Sequence, residues 1–136
     1  MKTSVLSKSI CGIVCLFVCS LTLSAIPPKD YMYDTKEENG KIVSKTIFLQ
    51  KEGLLDKQLK YDFVYNENGK VIEKKACRWN NSQNEWEPFY LISYQYGQEE
   101  GNIRSVYAMW NKNTNDYSLN TQTIVLSEDR YEEIFH

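Results

Sequence analysis

Three times along this chain an aromatic strand runs into a Gly-centred turn and comes back. Tyr31-Met32-Tyr33-Asp34 leads to Glu38-Asn39-Gly40-Lys41-Ile42-Val43. Tyr61-Asp62-Phe63-Val64-Tyr65-Asn66 leads to Glu67-Asn68-Gly69-Lys70-Val71-Ile72, and Tyr94-Gln95-Tyr96-Gly97 leads more loosely to Glu99-Glu100-Gly101-Asn102-Ile103. The anchor glycines stand 29 (69 − 40) and 32 (101 − 69) residues apart, within the range where supersecondary units repeat. Asn-Gly supplies the positive-φ backbone that tight hairpins require. The pattern therefore predicts an all-β chain, an antiparallel meander of about seven or eight strands built from three hairpin-like repeats.

Side-chain alternation says which way those strands face. Leu59, Tyr61, Phe63 and Tyr65 are large and apolar or aromatic, with Lys60 and Asp62 between them; a period of two fits a half-buried strand. Strict alternation in the return strand places Val71, Cys77 and Trp79 on one face and Ile72 and Ala76 on the other. Lys74, Lys75 and Arg78 read there as an edge or a wet face. The polar run 80–84 separates Trp79 from Trp86, and Pro88 fits the first position of the next strand, where a missing N–H is tolerated. Residues 89–96 carry Phe89 and Leu91 on one side and Tyr90, Ile92, Tyr94 and Tyr96 on the other, as expected of a central strand covered on both faces. Residues 103–110 look similar, 111–116 form another polar turn, and 117–126 make a Thr-rich strand. At the end, Ser127 is placed to cap a short helical turn with Tyr131, Ile134 and Phe135 on one side, although a final strand fits nearly as well.

The first 25 residues read as an export label. Lys2 and Lys8 precede an apolar run over 10–23, followed by Ser24-Ala25 and Ile26-Pro27-Pro28. That is the layout of a secretory signal peptide, its apolar run shorter than the roughly 20 residues a membrane span needs. Cleavage is expected after Ala25, with Ser24 as the alternative, leaving 26–136 as a single domain in the periplasm or outside the cell, with no membrane span. Cys11, Cys15 and Cys19 leave with the label, so Cys77 is the mature chain's one thiol. A disulfide-stapled secreted domain would show a larger, even count. Without Lys2 and Lys8, 14 basic residues face 18 acidic ones, a charge of −4. The charges alternate along the chain; there is no basic stripe of the kind that binds nucleic acid.

Over nearly all of 26–136 the chain resembles the small secreted proteins of gut Bacteroidales grouped as domain of unknown function family 3836 (DUF3836). The segments that carry the likeness are Tyr31-Met32-Tyr33-Asp34-Thr35-Lys36-Glu37-Glu38-Asn39-Gly40-Lys41, Phe63-Val64-Tyr65-Asn66-Glu67-Asn68-Gly69-Lys70-Val71 and Arg78-Trp79-Asn80. Asn84-Glu85-Trp86-Glu87-Pro88-Phe89-Tyr90 and Tyr131-Glu132-Glu133-Ile134-Phe135 complete it. The resemblance implies a secreted Bacteroidales product and no known catalytic residue. A weaker likeness joins it to the tyrosine–aspartate (YD/RHS-type) repeats of large bacterial surface proteins. Tyr33-Asp34 and Tyr65-Asn66 fit that pattern and Tyr96-Gly97 departs from it, so only the hairpin logic carries over.

The chemical inventory points away from catalysis, cofactors and metal. The only histidine is His136, no nucleophile is paired with a base, and no Cys-x-x-Cys or His-Glu-x-x-His spacing occurs. Cys77 reads as a small half-buried hydrophobe. Glu85 and Glu87 flank Trp86, but a glycosidase needs two carboxylates facing across a cleft. The functional clue is aromatic: three Trp, ten Tyr and five Phe. Cross-strand packing accounts for many of them, at about 0.2–1 kcal/mol per pair. Two readings follow. In the first, a secreted binding module presents exposed aromatics to an unknown ligand, a glycan before others, through Trp79, Asn80, Asn84, Glu85 and Trp86. In the second, an interaction or inhibitor subunit docks onto a protein partner through a sheet edge. Exposed, coplanar tryptophans favour the first; buried tryptophans beside a long uncharged edge strand favour the second.

Overall fold

The tight turns set the architecture. The computed structural model describes residues 30–97 and 101–136. Asn39 and Gly40 both take positive φ, +52° and +73°, and join β1 (Tyr31–Glu38) to β2 (Lys41–Lys51). Glu52-Gly53 does the same between β2 and β3 (Leu54–Tyr65), a turn that the sequence patterns did not flag because glutamate rarely accepts φ > 0. Asn68-Gly69 belongs to a wider loop: Gly69 N donates to Asn66 O, Asn66 N donates to Lys70 O, and Asn66 Oδ1 accepts from Lys70 N, all at 2.9 Å. There only Gly69 is left-handed, at +75°. The chain continues through β4 (Val71–Asn80), β5 (Glu85–Tyr96), β6 (Asn102–Asn111) and β7 (Asp116–Ser127) into a 3-10 helix, Glu128–Phe135. The strands hydrogen-bond in chain order as one open seven-stranded antiparallel sheet. The expected meander and short C-terminal helical turn are what form.

One face of this sheet carries the core. Leu59, Tyr61, Phe63 and Tyr65 project to it, and the ladder continues Tyr61–Ala76–Tyr90 and Phe63–Lys74–Ile92 across β3, β4 and β5. Ile134 descends from the 3-10 helix onto this face and, with Val71 and Ile103, is fully buried. Burying such a side chain stabilises by about 1.5–3 kcal/mol, enough to hold a helix too short to persist alone. Polar contacts fix its seat. Val71 N donates to the Tyr131 hydroxyl at 3.0 Å, Glu128 N to Gly101 O at 2.8 Å, and Lys45 Nζ to Phe135 O at 3.0 Å.

Five expectations need correction. The register shift at Val64/Tyr65 passes over Ile72 and breaks strict alternation in β4, so Val71 joins Ala76 in the core rather than sharing a face with Cys77 and Trp79. Lys74 is no surface charge: it is 4 % exposed, its ammonium 4.2 Å from the Tyr61 ring centre and donating to His136 O at 2.6 Å. Pro88 lies inside β5, opposite Cys77 at the register shift, the kind of irregularity that accommodates a residue without an N–H. β5 is central, but among the described residues only the helix side is covered by another element. Ser127 precedes the helix with extended backbone and makes no side-chain cap bond.

Candidate functional site

The aromatic hairpin singled out from sequence is built largely for itself. Trp79 and Trp86 stand directly opposite in the β4–β5 ladder, with ring centres 5.1 Å apart and planes at 68°. That edge-to-face contact is a favoured aromatic geometry, and both rings are half-buried. The ammonium of Lys57 sits 3.9 Å from the Trp79 ring centre. Asn80 folds the turn: its Oδ1 accepts from Ser82 N and Gln83 N at 2.9 and 3.2 Å, and its Nδ2 donates to Gln83 Oε1 and Glu87 Oε1 at 2.8 and 2.7 Å. Asn84 supplies a left-handed residue, φ +55°, and Glu85 is exposed beside it. All five predicted site residues therefore share one hairpin tip.

Glu87, which the sequence reading did not place in the site, is the tip's electrostatic centre. Its side chain is 14 % exposed and lies 3.6 Å from both Arg78 Nε and Lys112 Nζ. The Asn80 hydrogen bond first, and the two cations with it, hold its carboxyl below the usual carboxylate range.

The next hairpin repeats the device. Trp110 and Tyr117 pair across β6–β7 at 4.9 Å and 66°. Asn111 Oδ1 accepts from Asn113 N at 3.0 Å, and Asn115 is left-handed, φ +56°. The octets Trp79-Asn80-Asn81-Ser82-Gln83-Asn84-Glu85-Trp86 and Trp110-Asn111-Lys112-Asn113-Thr114-Asn115-Asp116-Tyr117 share the pattern Trp-Asn-x-x-x-Asn-acid-aromatic at a spacing of 31 (110 − 79). That alignment was the available signal for the second tip. It shows that the motif encodes a hairpin: an Asx turn, a left-handed Asn and an aromatic staple. Between the tips, Glu87, Pro88, Trp110, Lys112 and Asn115 line a shallow cavity of about 280 Å³.

The two sheet edges are chemically unlike. β1 is exposed throughout and carries Asp34, Lys36, Glu37 and Glu38, with Lys36 paired to Glu38 at 2.7 Å. β7 has no charged residue after Asp116, and Leu119, Ile124 and Val125 are 43, 51 and 59 % exposed. A left-handed Asn120 (φ +49°) and register shifts opposite Met109 interrupt its first half. Residues 122–127 then pair in unbroken register with 107–102 of β6. Charges, bulges and proline are how natural edge strands avoid unwanted pairing, and this second half of β7 has none of them.

A larger hollow of about 410 Å³ lies between the β1–β2 turn and the 3-10 helix, lined in part by Lys41, Lys45, Tyr65, Tyr131 and Glu132. Its lysines are engaged, Lys41 over the Tyr65 ring and Lys45 over Tyr33. Cys77 is half-buried, and burial followed by nearby Asp62 pushes its thiol pKa up, the opposite of an activated nucleophile. Among the described residues no group of three His, Cys, Asp or Glu side chains is placed to hold a metal ion. No helix among them is long and apolar enough to cross a membrane. The expected leader, 1–25, with Cys11, Cys15 and Cys19, lies outside the described residues.

Three solved structures share this architecture. A DUF3836 family protein from Parabacteroides distasonis ATCC 8503 is 57 % identical, with 79 % of this chain and 99 % of that one covered at a TM-score of 0.76. A second, from Bacteroides vulgatus ATCC 8482, is 32 % identical over 69 % of this chain and 97 % of that one, TM-score 0.62. A protein of unknown function from Bacteroides fragilis NCTC 9343, 20 % identical and covered over 75 % of each chain with a TM-score of 0.61, shares the fold. No curated protein matches the chain. The model of the family of unknown function DUF3836 matches residues 1–128, and the chain belongs to that family.

Proposed function

We propose that this is an exported, non-enzymatic interaction protein that docks onto another polypeptide strand through the free edge of β7. The observation that carries the reading is the uncharged second half of that edge, with Ile124 and Val125 left open. A strand added there would satisfy the outward N–H and C=O groups and bury apolar side chains on both faces, which is how strand-addition modules gain affinity.

The aromatic tip supports glycan binding less well. A sugar-stacking platform needs an open, flat apolar surface. At the tip the indoles meet at 68°, Lys57 lies over Trp79, and the amide of Asn80 is committed to the turn and to Glu87. Trp79 and Trp86 serve here to staple the hairpin.

The edge reading is checked by placing a photo-crosslinking residue at Val125, and separately at Asp34 on β1, in producing cells. A discrete adduct from position 125, absent from 34 and lost on adding Thr123→Pro, is the expected result. Equal adducts at both positions, or none at 125, would overturn it.

A further inference from the structure

We infer that the strand received by β7 is β7 of a second copy, the two chains pairing antiparallel about a two-fold axis so that their sheets become continuous. This rests on the edge reading above and names the occupant.

Charge favours a second copy. Of the seven strands, β7 alone is free of lysine, arginine, aspartate and glutamate after its first residue. Around a two-fold axis, residues 122–127 meet only 122–127, so neutral groups meet neutral groups and no ion is stripped of water. Docking onto β1 of another copy would instead set this edge against Asp34, Lys36, Glu37 and Glu38, desolvating charges that gain no partner.

Closure favours it too. A β7-to-β7 contact is isologous and stops at two chains, whereas β7-to-β1 contacts propagate head to tail into an open array. The charges on β1 guard against that second mode, and the uncharged β7 permits the first. The asymmetry between the edges suits a dimer better than a filament.

The apolar side chains are placed to benefit. Directly opposite residues of an antiparallel pair share a face, so a two-fold axis at Ile124 sets that residue against its own kind and Val125 against Thr123, and one at Val125 sets Val125 against its own kind and Ile124 against Leu126. β-Branched residues fill all but one of these places, and such cross-strand pairs add stability.

Sedimentation velocity of the mature protein across a concentration series tests this. The expected result is a reversible dimer that Val125→Lys weakens by roughly tenfold or more, since symmetry places two like charges near the axis, while Tyr33→Lys on β1 leaves it intact. Hydrogen exchange supplies a second readout, with amides of 122–127 slowing as the wild type is concentrated. A wild type that stays monomeric at every concentration would sink self-pairing, yet leave the edge reading standing if position 125 still crosslinks to another protein in cells. A dimer indifferent to Val125→Lys and lost in Tyr33→Lys would sink both.

Discussion

At one end of the sheet, residues far apart in sequence hold one another; at the other, ring pairs and turn bonds lie within each hairpin, and only exposed Lys57 and Lys112 reach across. The first end has the loops around Gly40, Gly69 and Gly101 and lies under the 3-10 helix. Tyr131 reaches back to Val71, Glu128 to Gly101 and Lys70, and Ile134 to a core drawn from β3, β4, β5 and β6. At the second end, Trp79 finds Trp86 and Trp110 finds Tyr117 across their own turns, and Asn80 and Asn111 close those turns locally. A single-layered sheet needs both. Long-range burial supplies most of the stability, and the local staples keep the uncovered end in register.

The contrast breaks most visibly if the helix is loosened. Ile134→Ala leaves a void over Val71 and Ile103, and filling such a site is worth about 2–5 kcal/mol. Urea unfolding of this variant is expected to show a loss in that range, with exchange protection falling around 71 and 103. A loss below 1 kcal/mol would mean that the helix merely rests on a sheet stable without it.

The two ends also differ in pH response, because Lys74 is buried under the helix while Lys57, beside Trp79, is exposed. Burial, and then the neighbouring charge of Lys45, lowers the pKa of Lys74 from 10.5 to about 8. Between those values the unfolded chain binds more protons than the folded one, so stability rises with pH across that window and is flat below it. At about 1.4 kcal/mol per pH unit the ceiling is about 3 kcal/mol. Above pH 10 the sign reverses. Tyr94, raised to about 12 by burial, keeps its proton longer folded than unfolded, and stability falls. Urea midpoints from pH 7.5 to 11 should therefore pass through a maximum, and Lys74→Met should abolish the rising limb. A flat profile in the wild type would show that the ammonium keeps its water.

The sequence disclosed the locally encoded half of this picture. Aromatic alternation in 59–65, Asn39-Gly40 and the polar turns at 80–84 and 111–116 each fold as their own residues dictate. What stayed hidden depends on residues that meet only in three dimensions. The register shift beside Val71 turns that residue inward, an event no period-2 count contains; Lys74 shares the Ala76 face by plain alternation, but only the helix above makes that face a buried one. Glu87 looked like one acid among many because Arg78 reaches it from β4 and Lys112 from the β6–β7 turn. The candidate site divided the same way. Trp79, Asn80, Asn84, Glu85 and Trp86 do gather at one tip, but that Asn80 spends its amide on the turn is visible only from its partners.

The smallest expected effect tests the local end directly. Asn80→Ala removes two turn-closing acceptor contacts and the amide that donates to Glu87, an exposed network whose loss is worth about 0.5–1.5 kcal/mol. Because Trp79 and Trp86 would still face each other, the strands should remain paired. Faster amide exchange should then be confined to about 80–87, and Val71 and Ile103 should keep their protection. Asn111→Ala should behave alike in the neighbouring tip, since its Oδ1 closes the matching turn, but more mildly, having no carboxylate like Glu87 to serve. If Asn80→Ala instead loosens the helix end to the same degree, the tip and the core unfold as one unit, and the two ends differ in contacts without differing in stability.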